Sequence, residues 1–278
     1  PLGVPLEQAP RACLRERSHV FDLLQFCLSD RKDDINGLPL ALTADGLVRT
    51  FGKAGELFLA DDLTRQIFVE DTAWFIDAGV QSNTRLQPCE AAELREMAPE
   101  RVVSRLAGRL CVEPGDTLAW EPAGPGIPNA TWLVLVLRYL AERVPPAQSA
   151  TLVGLALFPD PQERLHCAAG GVLLIPADDL DRALRDALGV VGVDLVAGGY
   201  DVVEAVRIFQ QRHPGPISAL TGPSLARRLL GLWAPLAALP AGSGERAALL
   251  DYFAAPRWLD HYGPDELTAL RSLPLLRT

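Results

Sequence analysis

Proline sets the strongest local limit on what this chain can fold into. The residue fixes φ and lacks a backbone donor, so helix interiors and central strands exclude it. Prolines at 88, 99, 114, 122, 125, 128, 145, 146, 159, 161, 176 and 214 divide the sequence into short apolar segments. The expected fold class is therefore α+β, or mixed α/β, with short β-hairpins and many helices in two lobes.

Between the prolines, the apolar pattern assigns the elements. Residues 13–28 place Cys13, Val20, Leu23, Leu24, Cys27 and Leu28 at helical spacing. Leu38–Thr43 and Leu47–Phe51 read as strands around Ala44-Asp45-Gly46, because Asp-Gly favours a tight turn. Leu57–Ala60 reads as a third short strand. Residues 61–110 read as mostly helical, with breaks near Gly79 and Pro88, a loop starting at Asn83, and a helix opened by Pro99. Proline and glycine density from Glu113 to Pro128 predicts an irregular connection. Asn129 or Thr131 then caps an apolar helix that Pro145-Pro146 stops near Arg143.

A composition change at that point places a lobe boundary near residue 146, giving lobes 1–146 and 147–278. In the second lobe, Thr151–Phe158 and Gly171–Ile175 read as buried strands. Helices are expected over Asp178–Leu188, Val202–Gln211, Thr221–Trp233, Glu245–Phe253 and Asp265–Leu270. The chain also echoes itself. Leu23–Phe26 precedes Gly37–Thr43 as Leu249–Tyr252 precedes Ser272–Thr278, each with Leu-Pro-Leu at the start of an expected strand. The second copy would end before its hairpin, as in a piece of a longer protein.

Bulk properties exclude several function classes. The net charge is −9, which repels phosphate backbones and argues against nucleic-acid binding. The run Trp132–Leu137 is too short to span a bilayer, so no membrane insertion is expected. No secretory signal pattern opens the sequence. Cys13, Cys27, Cys89, Cys111 and Cys167 are odd in number, widely spaced and without a CxxC pair. That usage predicts no disulfide and a reducing, cytoplasmic setting.

Motifs that carry chemistry are incomplete. A phosphate loop needs two glycines with four residues between them and a lysine followed by a hydroxyl. Gly46 to Gly52-Lys53 has one residue too many and Ala54 in the hydroxyl position. Gly242-Ser243-Gly244 lacks the nucleophile-elbow pattern and reads as a helix cap. His19, His166, His213 and His261 show no paired ligand spacing, and His166-Cys167 on a strand would face opposite sides. Asp178, Asp179 and Asp181 read as a helix start. Trp74, Phe75, Trp120, Trp132, Trp233 and Trp258 read mainly as core anchors. The weak anion-site candidate is Thr221, Ser224, Arg227 and Arg228, where a helix start and two guanidiniums fall close in sequence. Ordinary capping explains the same residues. No catalytic residue, cofactor or metal is expected, nor any binding or hydrolysis of ATP.

Four segments together resemble the sacsin family: FDLLQFCLSD with INGLPLALTADGLVRTF, TWLVLVLRYLAERV with LVGLALFPDP, GVLLIP with DALGVVGVDLV, and DELTALRSLPLLRT. Leu155-Ala156-Leu157-Phe158-Pro159 lacks the first proline of the family's strand pattern. The resemblance implies part of a sacsin repeat downstream of an Hsp90-like ATPase domain. It further implies a non-catalytic chaperone or scaffold module of a large cytoplasmic protein. Its partners would be other domains of the same parent and client or cytoskeletal proteins. Two other readings remain open: part of a nucleotide-dependent enzyme whose ATP pocket lies in another domain, and a structural spacer.

Overall fold

The computed structural model describes residues 4–5, 8, 16–30, 35–53, 56–84, 86–170, 173–177 and 180–276. It shows a mixed α+β fold of short strands and short helices. The compact units are Pro1–Val102 and Val103–Thr278. This division lies earlier than the boundary expected at residue 146. The physical reason is that the helix ending at Arg143 packs on the helix Tyr200–Arg212. The proline pair ends an element there without ending a core.

In the first unit, β1 (Val4–Pro5), α1 (Arg17–Asp30), β2 (Ala41–Leu42) and β3 (Leu47–Arg49) come first. Strand β3 is central in an antiparallel sheet of order β1-β3-β2. The expected hairpin forms, with Leu42 opposite Val48. The Thr43 N–H donates to the Leu47 carbonyl at 2.9 Å, and Gly46 N–H to the Thr43 carbonyl at 2.9 Å. Gly46 sits at φ 79°, the left-handed position that ends a three-residue turn. Next come β4 (Leu57–Leu59), α2 (Asp62–Ile67), α3 (Ala78–Thr84) and β5 (Leu94–Glu96), and α4 (Pro99–Leu110) then runs across the division between the units. Strand β4 pairs in parallel with β5, and Phe58 also bridges Phe75 in parallel. Val20, Leu24, Leu42, Phe51, Leu57 and Ile76 are fully or almost fully buried in this unit's core.

The second unit opens with β6 (Thr117–Ala119), α5 (Ala130–Arg143), β7 (Ala156–Pro159) and β8 (Arg164–Cys167). Their antiparallel sheet has the order β6-β8-β7. Then follow β9 (Leu173–Ile175), α6 (Arg182–Val190), β10 (Asp194–Leu195), α7 (Tyr200–Arg212), β11 (Ser218–Ala219) and α8 (Gly222–Leu229). Strand β9 is central and parallel to both β10 and β11. Helices α9 (Trp233–Ala238), α10 (Gly244–Ala254), α11 (Pro256–Leu259) and α12 (Pro264–Ser272) complete it.

One module is thus built twice. Each copy has a short strand, a 14-residue helix, a hairpin whose second strand is central, and then a parallel strand–helix run, whose middle strand is reduced in the first copy to a single bridge at Phe75 and whose last helix there, α4, crosses the division between the units. Two bonds of the parallel ladders correspond. Ile76 N–H donates to Phe58 O at 3.1 Å, as Val196 does to Leu174 at 2.9 Å. Met97 N–H donates to Leu59 O at 2.9 Å, as Leu220 does to Ile175 at 2.8 Å.

Several expectations are corrected. Gly79 and Asn83 lie inside α3, whose start is capped when the Asp77 carboxylate accepts from Gly79 and Val80 N–H. Strands β5 and β6 occupy segments read as helical and irregular. The stretch Thr221–Trp233 breaks at Gly231 into α8 and α9. Pro274–Leu276 forms a 3₁₀ turn instead of a strand, because Arg246 donates to the Pro274 and Leu275 carbonyls that a ladder partner would otherwise occupy. Expectations for Cys13, Ala54, Gly171, Asp178, Asp179 and Thr278 fall outside the described residues. Among the described residues no helix is long and apolar enough to cross a membrane.

Candidate functional site

Thr221 and Ser224 come together as a closed capping box at the start of α8. Ser224 N–H donates to Thr221 Oγ1 at 3.2 Å, and Thr221 N–H donates to Ser224 Oγ at 2.9 Å. Side chains also cover this helix start. A Cβ on Gly222 would collide with the Tyr262 hydroxyl and with Trp258. Arg227 and Arg228 belong to the last turn of α8. Arg227 pairs with Glu266 at 3.3 Å, and Arg228 Nε is buried without a hydrogen-bond partner. The fold therefore joins the two hydroxyl residues in a cap, while Arg227 Nε reaches back to the Pro223 carbonyl at 3.5 Å and pairs with Glu266.

The other sequence candidates serve local structure. Ser243 Oγ accepts from Arg246 N–H at 3.2 Å and caps α10. The Asp181 carboxylate accepts from Ala183 N–H and caps α6. Cys27, Cys89, Cys111 and Cys167 are free thiols. Among the described residues no group of three or more His, Cys, Asp and Glu side chains gathers to hold a metal ion. Phe75, Trp120 and Trp132 are buried, whereas Trp233 is exposed.

Two polar clusters went unrecognised in the sequence. In the first, His213 is fully buried at the C-cap of α7. Its Nε2 lies 3.0 Å from the Leu140 carbonyl, which can only accept, so Nε2 carries a proton. Its Nδ1 lies 2.8 Å from Ser149 Oγ, which also reaches the Pro146 carbonyl at 2.6 Å. A serine beside an imidazole is the beginning of a nucleophilic pair. Among the described residues no carboxylate orients the ring, and its Nε2 holds the backbone of α5. The arrangement braces α5, α7 and the 3₁₀ turn Pro146–Leu152 together. Nothing in the sequence signals a contact between residues 149 and 213.

The second cluster centres on Asp160, which is only 1% exposed at the β7–β8 turn. Its carboxylate accepts from Gln162 N–H at 2.8 Å, Arg164 N–H at 2.9 Å, Arg164 Nε at 2.8 Å and His166 Nε2 at 2.7 Å. Burial pushes this carboxyl up, but those donors outweigh it and hold it below the usual carboxylate range. Asp45 does the same in the first hairpin. Burial again opposes, and Thr43, the Leu47 N–H and Arg49 together bring its carboxyl down. The sequence signal was available in both cases, as an aspartate four residues before an arginine across a turn.

No protein-family model, curated protein or solved structure matches the chain.

Proposed function

We propose that the chain is a non-catalytic chaperone or scaffold module of a large sacsin-like cytoplasmic protein. In this reading it mediates contacts with other domains of its parent and with client or cytoskeletal proteins. The observation that carries the reading is the doubled module. Chains built from repeated α/β units use their accumulated surface for interaction and need no single reaction centre. The strongest family-like segment, Gly37–Phe51, coincides with the first hairpin, and the later segment Leu152–Pro161 leads into the second. The polar clusters also favour it, since their donors and acceptors satisfy one another within turns and helix ends.

The test is suppression of aggregation of a heat-labile client enzyme by the purified chain, with phosphate release from magnesium-ATP followed in parallel. Reduced light scattering at near-equimolar chain without phosphate release is the expected result. Unchanged scattering would remove the chaperone role. Steady phosphate release would remove the non-catalytic one.

A further inference from the structure

The two copies of the module differ at the carboxyl ends of their parallel strands, the place where open α/β sheets hold ligands. In the first unit this place is filled. Arg65 stands four residues after the N-cap Asp61 and donates its own N–H to the Asp61 carbonyl. Its guanidinium folds over the strand ends, donating to Ala60 O at 3.1 Å, Ile76 O at 2.6 Å and Gln81 Oε1 at 2.6 Å. In the second unit Arg185 holds the corresponding position, four residues after the N-cap Asp181, with the same backbone bond. Its side chain does not fold in. It is exposed and makes no hydrogen bond or ion pair with the described residues.

The space left beside it is a crevice of about 520 Å³ lined by Gln162, Pro176, Arg185, Asp194, Gly198 and Arg207, among others. Arg207 reaches in from α7 and donates to the Pro176 carbonyl at 2.8 Å, with Glu204 3.4 Å away on its other side. Among the described residues the lining carries the guanidiniums of Arg185 and Arg207 and the carboxylate of Asp194, and Glu204 places a second carboxylate beside Arg207. Gly198 sits at φ 120°, and a Cβ there would press on Val202 at 3.1 Å and Trp120 at 3.3 Å, so glycine lets the strand-to-helix link pack against its own unit. The N-cap residue Gly199 brings no side chain to cover the first amides of α7.

We propose that this crevice binds a small ligand through an oxyanion group, a carboxylate or a phosphate, held between Arg185 and Arg207. On binding, Arg185 turns inward beside Arg207, which already holds the Pro176 carbonyl as Arg65 holds the Ala60 carbonyl in the first unit. Two converging guanidiniums recognise planar or tetrahedral oxyanions through charge-assisted hydrogen bonds. The inference stands apart from the chaperone reading, because it depends only on the second unit's crevice.

The experiment is a pair of amide NMR titrations on the full ¹⁵N-labelled chain at constant ionic strength, one with succinate and one with inorganic phosphate. Saturable shifts at Ala197, Gly198 and Gly199 are expected, and Arg185→Gln should weaken them about tenfold while leaving the remaining spectrum unchanged. Saturation by succinate alone assigns a carboxylate ligand, by phosphate alone a phosphate ligand, and by both a general oxyanion site. Absence of saturable shifts with either probe overturns the proposal, as does equal binding by Arg185→Gln.

Discussion

Asp160 shows how this chain accommodates a buried charge. Its carboxylate lies out of water, yet backbone and side-chain donors surround it, so the ionised form is favoured in the fold. Replacing it by an amide would leave Arg164 and His166 facing a neutral group with one acceptor oxygen fewer. Asp160→Asn is expected to cost on the order of 3 kcal/mol at neutral pH, read from urea unfolding. A carboxyl held low in the fold contributes stability that is fully present above its unfolded value, near ~3.9, and is lost as pH falls through the lower folded value. The stability gap between the parent chain and Asp160→Asn should therefore stay constant from neutral pH down to about 5 and close below about 3.9. Asp45→Asn should follow the same pH course with a smaller gap, because Asp45 is less buried. A gap that widened on acidification would refute this account. The thiols give a second residue-scale expectation. The non-reduced protein should have the mass of the fully reduced chain, and a homogeneous bridged species would contradict the wide cysteine spacing.

Helix ends are where local chemistry and the observed elements agree best. Asn129 caps α5 as expected, its side chain accepting from Trp132 N–H at 2.9 Å. Asn129→Ala should cost about 1 kcal/mol in urea unfolding, and Asn129→Ser should restore most of it. Pro99 opens α4, and Asp45-Gly46 turns the first hairpin. Each depends on residues within a few positions of one another, so the sequence displays it. Strands β5, β6 and β10 were not foreseen because they span only two or three residues. Their pairing partners lie far along the chain, and so short a run has no alternation to detect. The candidate at α8 was half legible for the same reason. The Thr221–Ser224 box is local, but closeness in sequence could not reveal that the last turn directs Arg227 to Glu266.

At the scale of the whole molecule, each unit rests on its own apolar core. Phe51 is fully buried in the first. In the second, Phe209 is fully buried between Phe158, at 5.9 Å between ring centres, and His213 at 5.0 Å. Phe51→Ala and Phe209→Ala should each cost about 3–5 kcal/mol, measured by urea unfolding with amide exchange to locate the loss. Exchange that rose first in residues 16–84 for Phe51→Ala, and first in residues 130–213 for Phe209→Ala, would assign each ring to its own core. Stability unchanged by either substitution would mean that these rings do not organise the units.

The fold class, the first hairpin, the α5 cap and the breaks at prolines can be read along the chain, because each follows from φ preferences, capping groups and apolar period within a short window. Its two Leu-Pro-Leu segments are not the two copies, because Pro274–Leu276 forms a 3₁₀ turn after α12 and the counterpart of β2 is β7. The doubling of one α/β module emerges only in the folded chain, since the copies correspond through strand order and ladder bonds more than through identical residues. The tertiary structure alone separated Arg65, folded onto strand-end carbonyls, from Arg185, left beside an open crevice. Both arginines stand at the same step after an aspartate cap. What differs is the company that distant segments bring: Gln81 and Ile76 beside the first, Arg207 and Gly198 beside the second.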